Sequence, residues 1–233
     1  MPGVGRVMRV TARTLWDDLF VIFIISLLWA VISIMPPLIV FAISGSRIPT
    51  LMMFIAAASP ATAGIYYVTN RLANGYVAHT TQMFDAMRRF AMPAWGLGIL
   101  NGLALAIAII DIQFYVNLPA PLNLIISAIW VVILAFWLWS QFYAFPMLME
   151  QERPNIWQAI RNGVIMALSM PLLTLTIFIL LLGLLVLTGV FVETALAFLP
   201  VLIIVPAVFA LLTNVAVVLR LRYLRGEPEE GAE

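Results

Sequence analysis

LFVIFIISLLWAVISIMPPLIVFAI, residues 19–43, is a run of 25 residues without a charged side chain. An α-helix rises about 1.5 Å per residue, so roughly 20 apolar residues cross a hydrocarbon layer about 30 Å thick. A cleaved signal peptide is the alternative, but its apolar region is only about 7–15 residues long. The run therefore predicts a helix that spans a membrane.

The whole chain has the composition of a membrane protein. Of its 233 residues, 64% are hydrophobic and 10% are charged, against about 45–50% and about 25% in soluble domains. Six segments are long and apolar enough to span a membrane: 19–43, 50–69, 93–116, 122–147, 171–191 and 196–219. We predict an all-α fold, a polytopic bundle of six transmembrane helices that forms one integral membrane domain over residues 1–226, with a short acidic tail at 227–233.

The arginines predict how this bundle is oriented. All twelve basic residues are arginine, and six crossings place eleven of them on one side and Arg47 on the other. Positive charge collects on the cytoplasmic side of membrane proteins. Both termini are therefore expected in the cytoplasm.

Two connections on the arginine-rich side are amphipathic. One apolar face carries Met83, Phe84, Met87 and Phe90, and another carries Ile156, Trp157, Ile160 and Val164. These patterns predict helices that lie in the headgroup layer and bend into the next span near Pro93 and Pro171. Docking to a cytoplasmic partner is the alternative. The predicted anchors in the headgroup layer are four arginines: Arg71, Arg88, Arg89 and Arg161.

A short aromatic pattern occurs three times along the chain. Trp16-Asp17-Asp18-Leu19, Phe84-Asp85-Ala86-Met87 and Trp157-Gln158-Ala159-Ile160 each stand before or at the entry to an outgoing helix. A true repeat implies three parallel hairpins, each running out of the cytoplasm and back. A chance match between short apolar-biased segments is the alternative.

The second predicted span carries small residues at helical spacing. Ala56, Pro60 and Gly64 share one face, and such faces let helices approach closely in lipid. Pro60 leaves the carbonyl of Ala56 without its helical donor, so we expect a kink and a partner for that carbonyl from Thr62 or a neighbouring helix. The alternative is a discontinuous helix that lines a transport site, matched by broken helices at Pro36-Pro37 or in the sixth span.

Uncharged polar residues fall inside several predicted spans. Asn101 and Gln141 each lie roughly 12 Å from the cytoplasmic edge, and Trp137 stands one turn before Gln141. The predicted polar layer has five members: Thr62, Asn101, Gln141, Thr174 and Asn214. Two interpretations stay open, namely hydrogen bonds that hold helices together and a cavity, open to the cytoplasm, for a small polar solute.

The residues needed for catalysis are sparse. The chain has no cysteine and one histidine, His79, and it lacks the sequence signatures of hydrolases, nucleotide-binding enzymes and intramembrane proteases. We predict no enzymatic activity, no cofactor and no metal site. A lipid-active enzyme that uses His79, Arg88 and Arg89 at the membrane surface is the least favoured alternative.

One stretch resembles a known family. SPATAGIYYVTNRL, residues 59–72, together with Leu27-Leu28-Trp29 and Phe84…Arg88-Arg89-Phe90, is similar to the pattern of the YesL-like family of bacterial membrane proteins, a domain of unknown function. The chain departs from that pattern in lacking lysine and in having few acidic residues after Leu72. The resemblance implies a multi-pass protein of the bacterial cell (inner) membrane, often found among carbohydrate-utilisation genes, and it carries over no catalytic residues.

Together these features predict an integral membrane protein that acts as an accessory or scaffold subunit linked to solute (carbohydrate) uptake. Its expected partners are the lipid bilayer and either another membrane protein or a second copy of the chain. A small transporter or channel with a cytoplasm-facing polar cavity for a small polar solute is the alternative. The formal net charge of +1 argues against nucleic-acid binding.

Overall fold

Helices make up all the regular structure in the part of the chain that is described. The computed structural model describes the backbone of residues 3–190 and 195–227, and the side chains of residues 3–183 and 203–227. Its helices within these ranges are α1 (Val4–Asp17), α2 (Leu19–Ser44), α3 (Arg47–Ala73), α4 (Gln82–Arg89), α5 (Ala91–Tyr115), α6 (Leu122–Met149), α7 (Ile156–Ser169), α8 (Pro171–Val190) and α9 (Ala195–Arg225). The predicted all-α bundle is confirmed.

The long helices lie where the apolar segments predicted them. The six segments correspond in order to α2, α3, α5, α6, α8 and α9, and most ends differ by a few residues. Helix α9 continues past its predicted end to Arg225. Residue 191 of the fifth segment and residues 228–233 of the predicted tail lie outside the described ranges.

Several of these helices suggest a multi-pass membrane protein. By length and composition, α2, α3, α5, α6 and α9 can each cross a membrane. A sixth candidate is the pair α7 and α8, which are bent by 100° relative to each other. The bend is at Met170, directly before Pro171, where the sequence predicted it.

The helix ends follow local chemistry. Helix α2 stops at Gly45, whose φ of 61° is left-handed and whose N–H donates to the Phe41 carbonyl at 2.8 Å. Glycine adopts this conformation without the steric cost of a Cβ. Helix α7 starts after Asn155, whose side-chain oxygen accepts from the Gln158 N–H at 3.1 Å, a bond that satisfies one of the free N–H groups of the first turn.

The elements recur in one order along the chain. A short helix precedes two long ones in α1–α3, in α4–α6 and in α7–α9. The three aromatic motifs lie in the short helices or at their ends, at Trp16, Phe84 and Trp157. The sequence did not predict α1. Helices α2 and α3 pack together, as do α5 and α6, while the link between α8 and α9 falls outside the described residues.

One end of the bundle gathers the arginines. Asn70, near the end of α3, donates to Glu150, just beyond α6, and Arg222 of α9 donates to the Asn74 carbonyl. The last turns of α3, α6 and α9 therefore meet there. We call this the arginine-rich end, and the opposite one the Arg47 end.

Helix α9 lies at the centre of the packing. It packs against α1, α2, α3 and α6, and 61% of its most apolar window is buried, compared with 0% for the corresponding window of α6. The hydrophobic core that α9 shares with its neighbours contains Val68, Tyr143 and its own Leu211. The part of α6 towards the Arg47 end therefore lies at the edge of the bundle.

Helix α3 is continuous through Pro60. The Ala56 carbonyl that Pro60 leaves free accepts a hydrogen bond from Trp95 Nε1 of α5 at 2.8 Å. Helix α2 is also continuous through Pro36 and Pro37, as is α9 through its prolines. The interpretation of α3 as a discontinuous helix is therefore wrong, because a neighbouring helix satisfies the carbonyl and no break is needed.

Small residues of α3 bring other helices close to it. A Cβ on Gly64 would lie 2.7 Å from Met83 Cγ of α4, and a Cβ on Gly98 of α5 would collide with the Ser59 hydroxyl. Pro60 and Gly64 are buried, whereas Ala56 is exposed. The predicted small-residue face is thus buried at Pro60 and packs tightly at Gly64, while at Ala56 the carbonyl contacts the neighbouring helix.

Candidate functional site: a cavity between α2, α3, α5 and α6

A cavity of about 400 Å³ lies between α2, α3, α5 and α6. Most of its lining is aliphatic or aromatic, including Phe54 and Leu134. Its polar and indole side chains come from all four helices: Trp29, Ser59, Thr62, Asn101, Trp137 and Gln141. Binding sites for small molecules commonly combine such an apolar wall with a few polar groups and have volumes of about 300–1,000 Å³.

Two hydrogen bonds join indole and polar side chains in the cavity wall. Trp29 Nε1 donates to Thr62 Oγ1 between α2 and α3, and Trp137 Nε1 donates to Asn101 Oδ1 between α6 and α5, each at 3.0 Å. All four residues lie about three turns, roughly 16 Å, from the helix end at the arginine-rich side. The two bonds therefore lie at a similar depth, near the middle of the helices.

Two amides keep hydrogen-bonding capacity at this site. The Asn101 side chain uses Oδ1 to accept from Trp137, and within the described side chains its Nδ2 donates no hydrogen bond. Gln141 Nε2 donates to the adjacent Ser140 Oγ at 3.1 Å, and Gln141 Oε1 has no donor in the same part of the chain. The site can therefore offer one N–H donor and one carbonyl acceptor to a molecule in an otherwise apolar space.

Thr174 and Asn214 lie elsewhere, in the packed core. Thr174 Oγ1 is 3.0 Å from the Tyr143 hydroxyl, which joins α8 to α6. Asn214 Nδ2 donates to the Tyr66 carbonyl at 3.0 Å and to Thr69 Oγ1 at 2.9 Å, which joins α9 to α3. Both side chains are fully buried. They hold helices together, an interaction that contributes about 0.6–2 kcal/mol per bond in a membrane, and do not line the cavity.

The predicted arginine anchors lie at or near the surface of the arginine-rich end. Arg71 Nη2 donates to the Val77 carbonyl at 3.4 Å, and its guanidinium lies 5.6 Å from the centre of the Tyr76 ring. Arg88 and Arg89 end α4, and Arg161 lies on α7; all three are exposed. The guanidinium of Arg89 lies 5.3 Å from the centre of the Phe90 ring.

No group of three acidic or histidine side chains able to hold a metal ion occurs within the described ranges. His79 is exposed, and its backbone N–H donates to Gln82 Oε1 at 3.2 Å.

Sequence reasoning missed two of the residues that organise this region. Trp29 and Trp95 each bond to a group on α3 more than thirty positions away. The N–H of a tryptophan inside an apolar span usually bonds to an acceptor, and that tendency was the available signal. The sequence placed Trp137 one turn before Gln141 but did not give its partner, because the bond to Asn101 depends on how α5 and α6 face each other.

Comparison with protein-family models, curated proteins and solved structures finds no match to this chain.

Proposed function

We propose that this chain is a small membrane carrier whose cavity between α2, α3, α5 and α6 binds an amphipathic molecule. The single observation that carries the proposal is the cavity of about 400 Å³ that contains both Asn101 and Gln141. Its mostly apolar wall suits a ligand with an apolar body and one polar group. A carbonyl or hydroxyl oxygen of that group can accept from Asn101 Nδ2, and a hydroxyl or amide N–H can donate to Gln141 Oε1.

The depth of the cavity supports transport across the membrane more than binding at its surface. Its two tryptophan hydrogen bonds lie near the middle of long apolar helices. In a bilayer, binding sites of transporters also lie near the midplane, and uncompensated polar groups there are costly. A ligand that pairs with Asn101 and Gln141 offsets that cost.

Photolabelling tests the proposal. The purified protein in liposomes is exposed to a medium-chain aliphatic primary amide that carries a diazirine, and labelled peptides are mapped by mass spectrometry. We expect labels on α3, α5 and α6 around the cavity, suppressed by unlabelled amide. Gln141→Met keeps the side-chain length and removes the amide, so labelling should fall about tenfold, the scale of one or two lost hydrogen bonds.

Asn117→Leu is the matched control, because Asn117 donates to Gln113 near the Arg47 end of α5 and lies outside the cavity. It should label as the wild type does. Labelling spread evenly over lipid-facing residues, or unchanged labelling in Gln141→Met, would contradict a binding cavity. Uptake of the same amide into liposomes then distinguishes transport of the amide from binding alone.

A second candidate function, an accessory subunit of a membrane complex linked to solute (carbohydrate) uptake, is favoured by α6. Val131, Val132 and Ile133 are 56%, 66% and 49% exposed, although successive helix positions point in directions about 100° apart. This part of α6 thus offers apolar surface on several sides. A photo-crosslinking amino acid at Val132 should capture one partner membrane protein in cells, whereas the same group at Ile165 of α7 should not; equal capture at both sites argues against the role.

A further inference from the structure

A second pocket lies at the arginine-rich end, away from the cavity between the four helices. It has a volume of about 430 Å³ and is formed where α6 ends, α7 begins and α9 makes its last turn. We call it the Glu150 pocket. Its lining includes side chains of both charges, Glu150 and Glu152 against Arg153 and Arg225, together with the amides of Gln151 and Gln158.

The Glu150 carboxylate is fixed in place. Its Oε1 accepts from Asn70 Nδ2 at 2.7 Å and from Asn74 Nδ2 at 3.4 Å. Neither a hydrogen bond nor an ion pair to its Oε2 occurs in the part of the chain that the structure describes. A carboxylate held by one oxygen leaves the other available to a ligand that donates N–H groups.

Donors for an anion line the same pocket. Arg153 has no ion-pair or hydrogen-bond partner among the described side chains, and Arg225 has one carboxylate near it, Glu227 at 3.7 Å. A guanidinium without a partner, such as that of Arg153, suits phosphate oxygens.

From this combination we propose that the Glu150 pocket binds a small zwitterion that carries a primary ammonium and a phosphate. The ammonium donates to the free oxygen of Glu150, and the phosphate accepts from Arg153. No aromatic ring is among the described residues that line the pocket, and recognition of a quaternary ammonium typically uses aromatic rings. The pocket thus favours an ethanolamine-type group over a choline-type group.

Two sources can supply this chemistry, a phospholipid headgroup and a free phosphoethanolamine. The position of the pocket suits a headgroup, since Trp157, adjacent to Gln158, is 72% exposed and Tyr223, two residues before Arg225, is 47% exposed. Exposed tryptophan and tyrosine collect at the headgroup level of membranes.

Native mass spectrometry of the full chain with defined lipids tests the proposal. We expect the wild type to retain phosphatidylethanolamine about tenfold more than phosphatidylcholine, the scale of one charge-assisted hydrogen bond. In Glu150→Gln the side-chain carbonyl can still accept from Asn70, but the charge is lost, and the preference should disappear. Asp85→Asn is the matched control, because Asp85 is an exposed acid on α4 outside the pocket, and it should keep the preference.

Arg153→Gln should lower retention of phosphatidylethanolamine and phosphatidylcholine alike, because both carry the phosphate. Displacement of the lipid by millimolar phosphoethanolamine supports the free zwitterion as a source, and retention in its presence supports the headgroup. Equal retention of the two lipids by the wild type, or an unchanged preference in Glu150→Gln, overturns the proposal. Size-exclusion profiles and melting temperatures that match the wild type exclude misfolding of the variants.

Discussion

Trp95 satisfies a carbonyl that the sequence leaves without a donor. Proline at position 60 lacks the N–H that would normally bond to the carbonyl of residue 56, and Trp95 Nε1 of the neighbouring helix supplies a donor at 2.8 Å. An unpaired carbonyl facing lipid has no water to bond to. One residue of α5 therefore allows α3 to run unbroken through its proline.

This arrangement gives a prediction in the form of a double-mutant cycle. Trp95→Phe removes the donor and should lower the free energy of unfolding by about 1–3 kcal/mol, because the Ala56 carbonyl is left unpaired. Pro60→Ala restores a helical N–H to that carbonyl, so Trp95→Phe should cost clearly less in that background. Unfolding in detergent micelles measures all four proteins. An equal cost in both backgrounds would show that Trp95 acts through packing alone.

Asp18 stands at the junction of α1 and α2. Burial, and secondarily the charge of Asp17, raise the pKa of the Asp18 carboxyl. Asp18 makes no side-chain capping bond to α2. A raised pKa means that the folded state binds the proton more tightly than the unfolded state, so stability falls as the pH rises through the interval between the two values.

We therefore expect Asp18→Asn to remove the loss of stability that the wild type shows as the pH rises. Its melting temperature should equal or slightly exceed that of the wild type at pH 7, and should change less as the pH rises from about 4, where aspartate ordinarily titrates. Melting curves across that range provide the measurement. The control is Asp85→Asn, an exposed acid without a neighbouring aspartate, and an identical pH profile for wild type and Asp18→Asn would refute the assignment.

At the scale of elements, the contact between α6 and α7 depends on one glycine. A Cβ at Gly163 would lie 2.7 Å from the Ser140 carbonyl oxygen and 3.2 Å from the Ala144 nitrogen. Both are backbone atoms of α6, which cannot move aside as a flexible side chain can. Gly163 thus lets α7 lie directly on α6, and α8 leaves this contact through the bend of 100° at Met170.

Gly163→Ala should therefore destabilise the protein by about 1–3 kcal/mol, the usual cost of overpacking. The matched control is Gly183→Ala on α8, where a Cβ would meet no atom within 4 Å. That change should be neutral or stabilising by up to about 1 kcal/mol, because alanine has the higher helix propensity. Melting temperatures in one detergent compare the two variants. A Gly163→Ala protein as stable as the wild type would mean that α6 and α7 are further apart than the structure places them.

At the scale of the whole molecule, the same succession of one short and two long helices occurs three times among the described helices. Each short helix, α1, α4 and α7, is followed by two long ones. If the long helices cross a membrane, each group of three starts on the same side, because two crossings return the chain to its starting face. The three short helices and the arginine-rich end then share one face of the membrane.

Cysteine labelling tests this orientation, since the natural sequence contains no cysteine. Ser46→Cys, half-buried beside the exposed Arg47, should react with a membrane-impermeant maleimide added to intact cells. Tyr76→Cys, in the exposed loop after α3, should react only after the membrane is permeabilised. The reverse pattern would place the arginine-rich end outside and overturn the predicted topology.

The sequence alone determined the helical segments, because length and hydropathy along the chain suffice to mark apolar helices. It also determined that Pro60 frees a carbonyl and that Pro171 stands at a bend. It could not tell Asn101 and Gln141, which line the cavity, from Thr174 and Asn214, which are buried between helices. Those helices are apolar on all sides, so no polar face marks the direction in which a side chain points.

Only the tertiary structure decided the rotation of each helix about its axis, and with it the partners of Trp29, Trp95 and Trp137. The physical reason is that lipid and protein interior are similarly apolar, so hydropathy does not distinguish a helix face that packs from one that meets lipid. Which face packs is instead set by close approach at small residues such as Gly64 and Gly163. That approach depends on the shapes of residues distant in the sequence.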